Sequence, residues 1–518
     1  MSIGPRPRIT GVALSALVSS LELAVIANWE SDPIVTGITH DSRQIHPGDL
    51  YAALPGFNTH GANFAQSAVH AGAVAIITDE VGLETAAATG VPVVLAAHPR
   101  ERVGELADTI YESPSRDLIV VGITGTNGKT TTSFLLDSAF RAAGFTTGVI
   151  GTVGTRIGDD FIPTTRTTPE ATDVHALLAL MRESGVRAVA MEVSSHALRL
   201  GRVDGVRFAA VCFTNLTEDH LDFHADMYDY FDAKASLFMP ERAGRAVVCV
   251  DDDWGRDLVV LCEQRGLAVS TFGLNPSADV SAEGITTIPG GSKVSVRRSK
   301  GQELSITVHL PGAFNVVNAL GALQCALSVG VDLRDAAAGI TDCGGVPGRM
   351  ERIIDPRGVD GVVALVDYAH TPDAVERAIE AVRAGTRGRV IAVLGAGGDR
   401  DRAKRPLMGS AASRLADVVI VTDDNPRSEA PADIRSSVLE GARLSGGGEV
   451  HELGDRRAAI TLAVQIAEAG DVVLVLGKGH EQGQEIDGVI SPFDDRVVLA
   501  EVLAGVSSSG NHERDGVR

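Results

Sequence analysis

The stretch GITGTNGKTTT, running from Gly122 to Thr132, places a lysine and a threonine directly after a glycine-rich turn. Glycines reach backbone angles that a Cβ forbids, so successive N–H groups can point inward and wrap an anion. Gly125, Thr126, Asn127, Gly128, Lys129, Thr130 and Thr131 are therefore expected to cradle the phosphates of a nucleoside triphosphate, ATP or GTP. Lys129 would reach the terminal phosphates and Thr130 would ligate Mg²⁺. The spacing departs from the common GxxxxGK[ST] in one place, where Ile123 stands at the first glycine position.

Other chemistry-bearing residues also fall where apolar runs end. Glu192 closes the run in AVAMEVSSH, a position suited to a carboxylate facing a metal beside bound phosphate. The segment TNLTEDHLDFH follows another apolar run and gathers Asp219, His220, Asp222 and His224, a grouping expected to help hold Mg²⁺. Later, ADVVIV runs into TDDNPR, where Pro426 stiffens a turn and Arg427 presents a planar fork matched to a carboxylate.

These residues need rigid elements to position them. At 518 residues the chain exceeds one ordinary core, and three blocks are expected. Residues 1–117 form a small α/β domain. Residues 118–345 form a central nucleotide-binding domain whose mostly parallel sheet resembles that of P-loop ATPases. Residues 346–505 form a doubly wound, Rossmann-like sheet with ligands expected at the carboxyl ends of its strands, and 506–518 a disordered polar tail. Near the start, Leu14, Leu17, Val18 and Leu21 share one helical face, which favours an amphipathic helix over a signal peptide. A formal charge of -21 spread along the chain excludes net attraction to nucleic acid or anionic lipid. Cys212, Cys249, Cys262, Cys325 and Cys343 lack CxxC pairing and read as buried reduced thiols, which suits a cytoplasmic protein. No segment approaches the roughly 20 apolar residues needed to cross a bilayer.

The order GTNGKT, EVSSH, TNLTEDHLDFH, YFDAKASLF, LPGAFNVVNALGA, GVPGRME and DYAHTPD resembles the Mur ligases, ATP-dependent enzymes that build the peptide of bacterial cell-wall precursors. DSR...PGDLYAALPG, TTRTTPE, GGDRDRAKRP, DNPR and GKGHE are similar to the member that adds the third residue. That resemblance implies transfer of meso-diaminopimelate to the D-glutamate of UDP-N-acetylmuramoyl-L-alanyl-D-glutamate through an acyl phosphate, with ATP and Mg²⁺, by a cytoplasmic monomer. It implies that Lys234 is carbamylated and joins Thr130, Glu192 and His220 at the metal, with Lys129, Lys234, Glu192 and His220 catalytic. Asn318, Arg349 and Asp367 would hold ATP. Ser42, Asn58, Thr167, Thr168, Ser194 and Arg202 would hold the UDP-muramoyl substrate. Arg400, Asp424, Asn425, Pro426, Arg427, Gly477 and Glu481 would hold diaminopimelate. The rival readings are a folylpolyglutamate synthase-like ligase and a non-catalytic protein in which ATP only closes the domains.

Overall fold

Strand Ile119–Thr124 is buried along nearly its whole length, as a strand must be when helices cover both faces of a parallel sheet. In the computed structural model, which describes residues 6–510 apart from 57, 165, 289, 299–300, 302 and 355–360, it lies inside an 11-stranded sheet. Its neighbours, Ala188–Glu192 and Ala210–Phe213, run parallel to it. The carboxyl ends of these strands therefore open on the same edge as the phosphate loop. Helices Lys129–Ala142, Ala313–Ser328 and Leu333–Thr341 cover one face through Leu135, Phe140, Leu320 and Ile340. On the other face lie Ala171–Glu183 and Asp253–Gln264, with Val174, Leu178 and Leu258 in the core. Gly122 has a packing reason: a Cβ there would come within 2.9 Å of the Phe208 ring.

A six-stranded sheet carries the third block. Val472–Leu476 pairs in parallel with both Val363–Asp367 and Val390–Leu394, although they lie far apart in sequence. That crossover brings three strand ends together, the place where doubly wound sheets bind ligands. Separate apolar cores fill its two faces. The final helix, Asp495–Gly510, uses Val498, Leu499, Val502 and Leu503 to cover one of them. Helix thus runs through 506–510, where a disordered tail was expected, because its apolar side is recruited to the sheet. The rest of that tail, 511–518, lies outside the described residues.

The first block is a five-stranded sheet spanning Ala24–Ala27 to Val93–Leu95. The expected amphipathic helix is Leu14–Ser20, with Leu14, Leu17 and Val18 buried and Leu21 just past its end. Helix Pro99–Ile110 shares an apolar core with Ala171 and Ala179 of the central block. All five cysteines are buried and free. Among the described residues no helix is long and apolar enough to cross a membrane.

Candidate active site

Gly128, with φ 90°, makes the turn from which helix Lys129–Ala142 starts. A side chain there would collide with Asn318 Oδ1, so the loop and helix Ala313–Ser328 interlock at this point. Lys129 Nζ folds back and donates to the carbonyls of Gly125 and Thr126, each at 2.9 Å. Thr130 Oγ1 donates to Glu192 Oε2 at 3.0 Å and accepts from Arg349 Nη2 at 3.2 Å. Glu192 is fully buried. Its carboxylate also accepts the Thr152 N–H and faces the Thr152 hydroxyl, both at 2.9 Å. Thr152 follows the glycine that ends strand Thr147–Gly151, and sequence reading missed it.

Lys234 is 1% exposed and donates to the same Gly125 carbonyl at 2.9 Å. Its Nζ also lies 4.4 Å over the Tyr230 ring. Burial, and then the charge of Lys129, push its pKa well down. His220 adopts φ 57° and stands 3.5 Å from Asp219. Burial holds its pKa down to about 4 against the opposing pull of Asp219.

The expected grouping of Asp219, His220, Asp222 and His224 does not form. His224 is tied to Asp229 at 3.1 Å and to the Ser195 hydroxyl at 3.0 Å, while Asp222 is exposed. Among the described residues there is no cluster of three or more His, Cys, Asp or Glu that could hold a metal. What does form is the Thr130–Glu192 oxygen pair at the loop, with His220 on the same cavity. Hard oxygen donors of this kind fit Mg²⁺ when phosphate oxygens and water complete the shell.

A cavity of about 400 Å³ separates the phosphate loop from the third block. Asn127, Lys129, Glu192 and Asn318 line one side, and Arg349, Asp367, Tyr368 and His370 the other. Asp367 is fixed by the N–H groups of Met350 at 2.7 Å and Ala369 at 2.8 Å. Arg349 stacks 4.3 Å over the Tyr368 ring, which places its guanidinium beside Thr130. Two contacts stitch the blocks together: Asn127 Nδ2 donates to Asp373 at 3.2 Å, and His480 Nε2 meets the Thr152 carbonyl at 3.1 Å. Tyr368 and His370 follow a strand that ends in Asp367, and His480 lies in GKGHE. Strand-end position was the available signal for all three.

The Asp424–Arg427 turn follows strand Val418–Val421. Asp424 and Asn425 are buried. Asn425 Nδ2 donates to Glu481 Oε2 at 2.8 Å, which brings together two residues expected to share a ligand. Gly477, with φ 115°, follows strand Val472–Leu476, two strands away in the sheet, and sits against Asp424. Arg427 has φ 54°, donates to the Gly398 carbonyl at 2.7 Å and lies 3.6 Å from Glu485. It therefore has a carboxylate neighbour at the protein surface, and its side chain is 23% exposed. Arg400 is exposed and donates to the Asp399 carbonyl at 3.2 Å, with both arginines flanking Gly397.

The residues expected to hold the nucleotide-sugar divide. Thr167 contacts Thr152 at 3.0 Å, Thr168 donates to the Glu192 carbonyl at 2.9 Å, and the Ser194 N–H returns to Thr168 at 3.1 Å. Arg202 pairs with Glu170 at 2.8 Å and reaches the Thr168 carbonyl at 3.4 Å. These residues surround the end of strand Ala188–Glu192. Ser42, beside Tyr51, and the exposed Asn58 stand apart on loops of the five-stranded sheet.

Three families match in chain order: "Mur ligase family, catalytic domain" over 34–111, "Mur ligase middle domain" over 123–326, and "Mur ligase, glutamate ligase domain" over 348–479. A UDP-N-acetylmuramoyl-L-alanyl-D-glutamate--2,6-diaminopimelate ligase of Streptomyces avermitilis is 50% identical over 505 residues, covering 96% of this chain and 98% of its own. A protein of the same name from Corynebacterium glutamicum is 46% identical, with 94% and 95% covered. A solved structure under that name superposes with TM-score 0.66 at 31% identity, covering 96% of this chain and 100% of its own.

Proposed function

The chain belongs to the Mur ligase family, and on that premise we propose that it is an ATP-dependent ligase joining meso-diaminopimelate to the D-glutamate carboxylate of UDP-N-acetylmuramoyl-L-alanyl-D-glutamate. The observation that carries this reading is the cavity between the phosphate loop and the strand ends of the third block. Two reactants and a nucleotide need such a meeting place, and holding them in line supplies much of the rate.

In the first step a carboxylate oxygen of D-glutamate attacks the γ-phosphorus of ATP. The bond to the β-phosphate oxygen breaks, ADP leaves with the electron pair, and an acyl phosphate forms. Lys129, now held by loop carbonyls, swings onto the transferring group, and Arg349 faces it from the third block. Bound Mg²⁺, held by Thr130 and Glu192 with His220 nearby, would neutralise phosphate charge. In the second step the deprotonated amine of diaminopimelate attacks the acyl carbon. The tetrahedral species collapses, the carbon–oxygen bond breaks, and inorganic phosphate departs. Closure of the third block through Asn127–Asp373 and His480–Thr152 excludes water that would hydrolyse the acyl phosphate.

Lys234 supports the carbamate reading, since a buried lysine with a depressed pKa offers the free amine that reacts with CO₂. Asn318 and Asp367 would take the adenosine part of ATP. Thr167, Thr168, Ser194 and Arg202 would take the muramoyl peptide, with Ser42 and Asn58 toward its nucleotide end. The Asp424–Arg427 turn, with Arg400, Gly477 and Glu481, would take the far end of diaminopimelate. Five free thiols support a reducing, cytoplasmic setting.

The test is phosphate release with purified protein. It should require ATP, Mg²⁺, the UDP-muramoyl dipeptide and meso-diaminopimelate together. Release supported by a folate and glutamate, or ATP binding without any ligation, would overturn the assignment.

A further inference from the structure

Lys478 is fully buried beside the Asp424–Arg427 turn. A lysine is rarely enclosed unless its charge is used. Its Nζ donates to Asn425 Oδ1 at 3.0 Å and lies 3.4 Å from Glu481 Oε2 and 3.9 Å from Asp424 Oδ1. Asn425 Oδ1 also accepts the Glu485 N–H at 3.0 Å. The carboxamide therefore has one orientation only, oxygen toward Lys478 and nitrogen toward Glu481. Two further buried cations lie nearby and each has its own carboxylate: Arg456 pairs with Asp495 at 2.7 Å and Arg405 with Glu429 at 2.8 Å.

We propose that Lys478 is a specificity-determining residue that makes this pocket prefer an amino acid whose far end carries both an ammonium and a carboxylate. The proposal rests on the reading above, in which the far end of diaminopimelate lies on this turn. Asp424 and Glu481 lie within 4 Å of the Lys478 ammonium, while Arg427 and Arg400 flank Gly397. The two carboxylates with Lys478 carry one net negative charge, matched to one ammonium, and the two arginines are matched to the carboxylate of the same end group. Glu485, 37% exposed, pairs with Arg427 from the solvent side until a substrate carboxylate replaces it. Without Lys478 the two carboxylates carry two net negative charges, which favours a bare ammonium such as that of L-lysine over an end group that also bears a carboxylate. The orientation of Asn425 and the placement of Glu481 also lose their central donor. Lys478 acts through these neighbours, so it is a positioning residue.

Kinetics of Lys478→Met, Lys478→Gln and Lys478→Arg with meso-diaminopimelate and with L-lysine, beside thermal melts, test this. In Lys478→Met, kcat/KM for meso-diaminopimelate should fall by about tenfold or more, through its KM, and its advantage over L-lysine should shrink by about tenfold. The KM for ATP should stay unchanged. Lys478→Arg, which keeps the charge, should retain the wild-type preference. Lys478→Gln, which keeps a donor without the charge, should behave like the methionine variant and covers the case in which the latter does not fold. A folded Lys478→Gln or Lys478→Met with the wild-type preference would overturn the proposal, as would equal losses for both amino acids. A wild type that ligates neither amino acid would instead overturn the parent assignment.

Discussion

Two lysines donate to one carbonyl oxygen at the phosphate loop, Lys129 and Lys234 each at 2.9 Å from Gly125 O. Their nitrogens can be no farther apart than twice that distance. At an effective dielectric of about 20, two unit positive charges about 6 Å apart repel by about 3 kcal/mol, which adds to the effect of burial in pushing the Lys234 pKa down. Lys234, the more deeply buried, yields first. A carbamate there turns the repulsion into an attraction of similar size. Removing dissolved CO₂ should therefore lower the melting temperature of the wild type, and bicarbonate should restore it. Lys234→Met should not respond to either treatment, and its turnover should be lower by roughly 100- to 1,000-fold. Labelled bicarbonate followed by carbon NMR should give a carbamate resonance in wild type that the variant lacks. A fully active wild type without that resonance, and with a melting temperature indifferent to CO₂, would refute the reasoning.

Lys129→Ala should keep its fold and lose roughly 100- to 1,000-fold in kcat, measured by phosphate release, because no other side chain of the loop supplies a cation to the transferring group. Arg427→Ala should reduce kcat/KM for meso-diaminopimelate by roughly 30-fold to several thousandfold while ATP binding changes little. A loss well below that range would mean that the Glu485 contact, and not a ligand, accounts for this arginine. Burial and the charge of Arg349 hold the pKa of His480 down to about 4, so the folded state keeps it neutral. An unfolded histidine takes up its proton near pH 6.5, so this contribution to stability is complete above that pH and is lost as pH falls toward about 4. Melts across this window should show a steeper acid loss in wild type than in His480→Gln, and parallel curves would refute the assignment.

Short-range chemistry was legible in the sequence. The run from Gly122 to Thr130 is a strand, a turn that needs positive φ at Gly128, and a helix start, so its anion-binding shape follows from local residue types. The doubly wound third block and the buried thiols followed equally from apolar runs and their spacing. Direction and partnership did not. Asp222 and His224 are close to His220 in the chain, yet one points to solvent and the other into a pair with Asp229, because three residues of turn are enough to reverse a side chain. The tail at 506–510 is polar in sequence, but Val498 and Leu499 upstream anchor its helix to a sheet. Thr152 meets Glu192, Lys234 meets Lys129 across the Gly125 carbonyl, and Lys478 meets Asn425, all pairs distant in sequence. Only the packing of strands against one another sets those distances, and a charge or a hydrogen bond acts over a few ångströms of space, however long the chain between its partners.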